Sequence, residues 1–198
     1  MNRYDNFTQY IDFQLVLTEL KSRGNNKSEQ GTLFELFCKK ILLTSPFFSD
    51  DVSEVWTWKE FPGNAGKHDT GIDLVVKDKQ GLYWAVQCKF YDKDATVSKA
   101  EIDSFISAST RKFKIDNQEF EYSHRLVFST TDNISLNASG LFTTIGPETL
   151  LECGIDWKHF SLDDIDAMKI VSKKSPKPHQ IDAINDCINS FKIINVVV

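Results

Sequence analysis

Cysteine is scarce in this chain: Cys38, Cys88, Cys153 and Cys187 are scattered through 198 residues with no CxxC pair, and no His stands at zinc-ligand spacing from any of them. Neither a zinc knuckle nor a disulfide framework is expected, and reduced thiols in the cytoplasm fit the pattern. Long hydrophobic runs are also missing. No apolar stretch approaches the roughly 18 residues of a membrane span, and the polar segment 1–10 lacks the basic-then-apolar order of a signal peptide. A soluble, cytoplasmic protein with no membrane partner is the expectation. There is no excess of basic charge either, since 28 acidic against 23 basic side chains leave a net charge of −5. That balance counts against a freestanding, tight binder of a polyanion, but not against an enzyme whose metal site is acidic by construction. Internal repeats are lacking, as are a helix-turn-helix, a zinc finger or any other base-reading module, so sequence choice on a nucleic acid would lie outside this chain.

What is present is apolar and aromatic: fifteen Phe and four Trp, within a 41% hydrophobic composition. A chain of this length buries roughly 70% of its unfolded surface, so one core suffices without staples. Phe7, Ile11, Leu15 with Val16, and Leu20 recur at helical spacing, which predicts a leading helix over 7–21 and a loop over 22–28. Leu33, Phe37 and Ile41, with Phe34 and Leu36 beside them, predict a buried helix over 28–43 with Ser28 as its N-cap. Three extended runs follow, 54–61, 72–77 and 83–91, separated by Gly- and Pro-containing turns. Ser98 and Glu101 form a capping-box pattern ahead of Ile102, Phe105, Ile106 and Ser109, predicting a helix over 98–112, and 125–129 reads as a strand. This order implies an α/β fold with a mixed central sheet flanked by helices. Residues 136–151 fit either helix or loop, and 156–168 a short strand and a short helix. The stretch SKKSPKP (172–178) has a linker's composition, and 178–191 reads as a fresh helix beyond it.

Chemistry concentrates on Asp73, Gln87 and Lys89. Side chains alternate along a strand, so Tyr83, Ala85, Gln87, Lys89 and Tyr91 share one face, while Trp84, Val86, Cys88 and Phe90 share the other, which reads as the core face. Gln87 and Lys89 then project together, about 7 Å apart. Phosphodiester hydrolysis asks for a hard divalent cation, oxygen ligands to hold it and a cation or base beside the attacking water. Asp73 supplies a carboxylate, Gln87 an amide oxygen, the Cys88 backbone a carbonyl, and Lys89 an ammonium group. Glu35, in line with Cys38 and Leu42 on its helix, is partly shielded from water, and a metal or a Lys partner would relieve the cost of that burial. Asp69 is expected to shape its turn, and His68 to lie at the surface. Tyr91 could line a nucleic-acid groove or cover the sheet, and the second is expected; Lys93, Lys99, Arg111, Lys112 and Lys114 are candidates for phosphate contacts, with a solvated surface as the expected reading.

The segments H-D-T-G-I-D-L (68–74) and A-V-Q-C-K-F (85–90) resemble the Mrr-type branch of the restriction-endonuclease-like (PD-(D/E)xK) nucleases, and G-T-L-F-E-L-F (31–37) is similar to that branch's first core helix with its acidic residue. The resemblance covers roughly residues 28–131. It implies a restriction-endonuclease-like core, Mg²⁺ as cofactor, double-stranded DNA as substrate, Asp73, Gln87, Lys89 and Glu35 as catalytic residues, and Asp73, Gln87, Glu35 and the Cys88 carbonyl as metal ligands. Gln87 stands where many members carry Glu, which places more demand on Asp73 and Glu35; Thr70 replaces a frequent Gly.

More narrowly, the chain resembles the N-terminal nuclease domain of single-polypeptide, ATP-dependent Type ISP restriction-modification enzymes. The resemblance implies residues 1–170 as the nuclease domain, and 171–198 as a linker and the start of a helicase-like motor. Pro178-His179-Gln180 is similar to the glutamine segment ahead of the motor's nucleotide site. ATP would serve only that motor, and the further partners would be a translocase, an adenine methyltransferase and a target-recognition domain. Two other readings compete: a catalytically silent DNA-binding or docking module that keeps the nuclease fold, and a structure-selective nuclease such as a junction resolvase.

Overall fold

The computed structural model describes residues 3–64, 66, 71–135 and 140–161. The turn residues His68, Asp69 and Thr70, the 172–178 linker, Gln180 and the 178–191 helix expected from the sequence lie outside the described residues.

Two helices open the chain, α1 (Arg3–Arg23) and α2 (Lys27–Thr44). Asn26 caps α2, not Ser28: its side chain accepts the Glu29 N–H at 3.0 Å, and Glu29 reaches back to the Asn25 N–H at 2.8 Å. An extended Asn with Glu three residues on satisfies the orphan amides two residues earlier than Ser28 would. In α2, Phe34, Phe37, Cys38, Ile41 and Leu42 are buried, while Leu36 is exposed. The buried face of α1 is Phe13, Val16 and Leu20, so the Phe7, Ile11, Leu15 series forms a second apolar stripe that stays exposed. The expected series therefore mixes two overlapping stripes: its Val16 and Leu20 are buried, while its Phe7, Ile11 and Leu15 are exposed.

Strands β1 (Val52–Thr57), β2 (Leu74–Asp78) and β3 (Tyr83–Lys89) form an antiparallel meander. Helix α3 (Lys99–Ser109) crosses over, and β6 (Tyr122–Ser129) then returns parallel to β3, with β7 (Thr143–Ile145) parallel beyond it. The five-stranded order β1-β2-β3-β6-β7 is the mixed sheet flanked by helices that the sequence implies. Between α3 and β6 lies a hairpin the sequence reading omits, β4 (Phe113–Ile115) with β5 (Gln118–Phe120), turning on Asp116 and Asn117 with φ of 50° and 66°. Consecutive left-handed residues favour Asn and Asp and match the strand twist. Helix α4 (Pro147–Glu152) and a 3-10 turn (Trp157–His159) follow, so the described part of the stretch left open between helix and loop, 140–151, contains β7 and most of α4.

The sheet is buried on both faces. One side, with Leu74, Val76, Val86, Leu126 and Phe128, packs on α1, α2 and Trp157. The other, with Val75, Ala85, Val127 and Tyr83, packs under Ile102 and Phe105 of α3 and against Phe61 and Phe113. The expectation that the Tyr83, Ala85 and Gln87 face is open is therefore wrong: β3 is central, α3 covers that face, and only the C-terminal end of the strand emerges.

Candidate active site

Asp73 enters β2 under restraint from three directions. Its N–H donates to the Val86 carbonyl at 2.9 Å, its own carbonyl accepts from the Trp58 N–H at 2.8 Å, and its carboxylate Oδ2 accepts from the Cys88 N–H at 2.6 Å. The turn that delivers it runs through Gly71, at φ +87°, where an added Cβ would stand 3.0 Å from Ser104 Oγ and 3.1 Å from the Phe105 nitrogen. Only glycine lets that backbone lie so close to α3 with positive φ.

Gln87 and Lys89 follow at the exit of β3. Gln87, beside Val127 of β6, is 4% exposed, and its Oε1 has no hydrogen-bond partner. A buried, unpaired amide oxygen costs free energy that a bound cation would recover. The Cys88 carbonyl points to the Asp73 side of β3, because the N–H and C=O of one strand residue leave the same edge and that N–H is the one Asp73 holds. Lys89 is half-buried, and its own carbonyl accepts from the N–H of Thr130, just past β6.

Asp73, Gln87, Cys88 and Lys89 line one cleft of about 700 Å³, whose opposite wall is α3 through Glu101, Ser104, Ser107, Ala108 and, just past the helix, Arg111. Glu35 does not line that cleft. It is half-buried on α2, and its charge, together with that of Asp73, acts on both the Cys38 and the Cys88 thiols, which hydrogen-bond each other. Burial, then the neighbouring Cys38 thiol and then these carboxylates push the Cys88 thiol well above its ordinary range, and burial, with the carboxylates adding, raises Cys38 too. Both stay protonated and are inert as nucleophiles. Among the described residues no group of three or more His, Cys, Asp or Glu side chains is arranged to hold a metal. The oxygen set that fits a hard cation is instead mixed: the Asp73 carboxylate, the Gln87 amide oxygen and the Cys88 carbonyl.

Glu101 is the cleft residue that sequence reasoning assigns only to helix capping. It keeps that role, as Ser98 and Glu101 form both halves of the capping box. Its carboxylate also accepts from the Tyr91 hydroxyl, and from Ser98 Oγ at 2.7 Å and Ser98 N–H at 2.9 Å. The Tyr91 bond, then those from Ser98, with Lys89 adding its charge, hold the Glu101 carboxyl down at about 2. Burial, and the carboxylate it faces, push the Tyr91 hydroxyl up to about 12. Tyr91 thus braces α3 instead of merely covering the sheet. Lys99 and Lys112 are tied to Asp103 and Glu119, as solvated surface lysines often are.

Comparison with known proteins agrees with this architecture. A restriction endonuclease family model of the Mrr catalytic type matches residues 43–167. No curated protein matches the chain. A solved structure, the ATP-dependent Type ISP restriction-modification enzyme LlaBIII bound to DNA, is similar over 89% of this chain with a TM-score of 0.58 and 23% identity; the chain spans 11% of that enzyme's length. The likeness is one of fold. Since the family model spans well over half of the sequence, the chain belongs to the Mrr-type restriction endonuclease family.

Proposed function

We propose that this nuclease domain hydrolyses DNA phosphodiester bonds with a divalent cation, Mg²⁺ in the cell, bound between Asp73, the Gln87 amide oxygen and the Cys88 carbonyl. The observation that carries the reading is the buried, partnerless Oε1 of Gln87 in the same cleft as Asp73 and Lys89. When bound, the cation acidifies water and offsets the charge that develops on phosphorus. The protein's own groups do the positioning. Asp73, gripped by the Cys88 N–H, presents its carboxylate with little freedom to turn away. Lys89 brings an ammonium to the water and the scissile phosphate. Glu35 supports the set from α2, where it adds negative charge that favours a cation near Cys88.

The parent is a Type ISP enzyme: residues 1–170 form the nuclease, 171–198 begin a linker and an ATP-driven motor, and a methyltransferase and a target-recognition domain make the sequence choice. Support comes from the fold shared with that DNA-bound enzyme and from the missing base-reading module. No described helix is long and apolar enough to cross a membrane.

Plasmid nicking in Mg²⁺ or Mn²⁺ tests the proposal. Lys89→Ala and Asp73→Asn should each lower cutting by roughly 10²- to 10³-fold, the range for removing one group aimed at developing charge. Cutting that persists in both variants would refute the site. Absence of cutting by wild type within an ATP-supplied full-length enzyme would favour the silent module, for which Gln87 in place of a carboxylate is the supporting observation.

A further inference from the structure

We propose that α3 forms a track for the DNA backbone ending on Arg111, whose guanidinium binds a phosphate other than the one being cleaved. The inference rests on the nuclease reading and adds a substrate-binding residue to it. The cleft wall contributed by this segment is Glu101, Ser104, Ser107, Ala108 and Arg111. Steps of three and four place them on one helical face. The middle of that face carries only exposed serines and an alanine, so a phosphate backbone approaches without displacing a large side chain.

The two ends of the track differ. At the near end Glu101 is occupied by Tyr91 and Ser98, with Lys89 close by. At the far end Arg111 is exposed, and its guanidinium reaches the Ser107 hydroxyl at 3.4 Å. Among the described residues it has no acidic partner, whereas Lys21, Lys39, Lys99 and Lys112 each pair with a carboxylate, and Arg125 is turned onto Ser109. An unpaired guanidinium offers the planar fork that suits a phosphate bidentately. Ten residues separate Glu101 from Arg111, about 15 Å along the helix axis. One DNA strand rises about 3.4 Å per nucleotide, so Arg111 contacts the backbone up to about four nucleotides from the scissile position. The competing explanation, a cation that merely complements the C-terminal end of the α3 dipole, predicts no effect on DNA.

Binding of a fluorescent DNA duplex to the 198-residue chain, in Ca²⁺ and between about 50 and about 200 mM salt, decides between them. Arg111→Gln should weaken binding roughly tenfold at the low-salt end and reduce the slope of log Kd against log salt by about one, equally for unrelated sequences. Arg111→Lys should restore the slope. Lys114→Gln, away from the cleft on β4, should change neither. An unchanged slope in Arg111→Gln would overturn the proposal, and so would a wild-type chain that fails to bind duplex at low salt. Asp73→Asn, run beside them, separates the two claims: it should keep the wild-type salt slope while losing nicking, and if it still nicks, the metal-site reading falls while the Arg111 result stands.

Discussion

Replacing Gln87 by leucine should make the metal-free protein more stable while abolishing cutting. Gln87 is 4% exposed in the centre of a sheet buried on both faces, next to Val127 and two residues from Ala85 on the same face, and its Oε1 meets no donor. An unsatisfied buried acceptor costs about 1–3 kcal/mol. A leucine of similar shape would remove that cost and extend the apolar cluster under α3. For a chain of this size, each kcal/mol moves Tm by roughly 2–4 °C, so the substitution should raise Tm in EDTA by roughly 2–12 °C. Magnesium titration followed by thermal unfolding supplies the complementary arm. Wild type should gain stability with metal, about 2.7 kcal/mol at a hundredfold excess over Kd, and Gln87→Leu should gain far less. A leucine variant that is less stable than wild type in EDTA, or that responds equally to Mg²⁺, would refute the argument that this oxygen is held for a cation.

Three further outcomes follow from the same geometry. Gly71→Ala should cost about 1–2 kcal/mol in urea unfolding, because the left-handed φ of +87° disfavours any Cβ and Ser104 and Phe105 stand within 3.0–3.1 Å of it. Asp73→Ala should lose about 1–3 kcal/mol more than Asp73→Asn, since only alanine strips the Cys88 N–H of its acceptor. Tyr91→Phe should cost about 1 kcal/mol near neutral pH. The Glu101 carboxyl lies near 2 when folded, against 4.5 for its ordinary value, so its contribution is full above 4.5 and is lost as pH falls toward 2. Tyr91 lies near 12 against 10, so its contribution is lost as pH rises from 10 to 12. The wild type's advantage over Tyr91→Phe should therefore be flat between about pH 5 and 10 and shrink on both sides, as measured by denaturant titration at each pH; a constant difference across the range would remove the Tyr91–Glu101 bond from the account.

How much of the fold is legible in the sequence depends on how locally each feature is determined. The capping box at Ser98 and Glu101, the meander of three strands and the strand that pairs beside β3 rest on short-range patterns, and the structure contains them. The β4–β5 hairpin has a local signal as well, Asp116-Asn117 between F-K-I and Q-E-F, and a search for paired left-handed residues would find it. The choice of buried stripe on α1 is different. Phe7, Ile11 and Leu15 are as apolar and as regularly spaced as Phe13, Val16 and Leu20, and only the positions of Trp157 and α2, distant in sequence, decide which set is covered.

The same division governs the candidate site. Asp73, Gln87, Cys88 and Lys89 are legible because one strand and one turn bring them together, and alternation along β3 suffices to aim two of them. Alternation also says that the Gln87 face is open to solvent, and there it fails, since the crossover from β3 to β6 must lay α3 on one side of the sheet. That failure makes the site workable. With β3 covered on both sides, its polar groups reach solvent where the strand outruns its cover, and among the described residues Asp73 and Lys89 meet in the cleft between the end of β3 and α3. Glu101, Ser104, Ser107 and Arg111 become cleft residues for the same reason. Their spacing is written in the sequence, but nothing within α3 says which strand end its polar side overlooks, and that follows only from the long-range parallel pairing of β3 with β6.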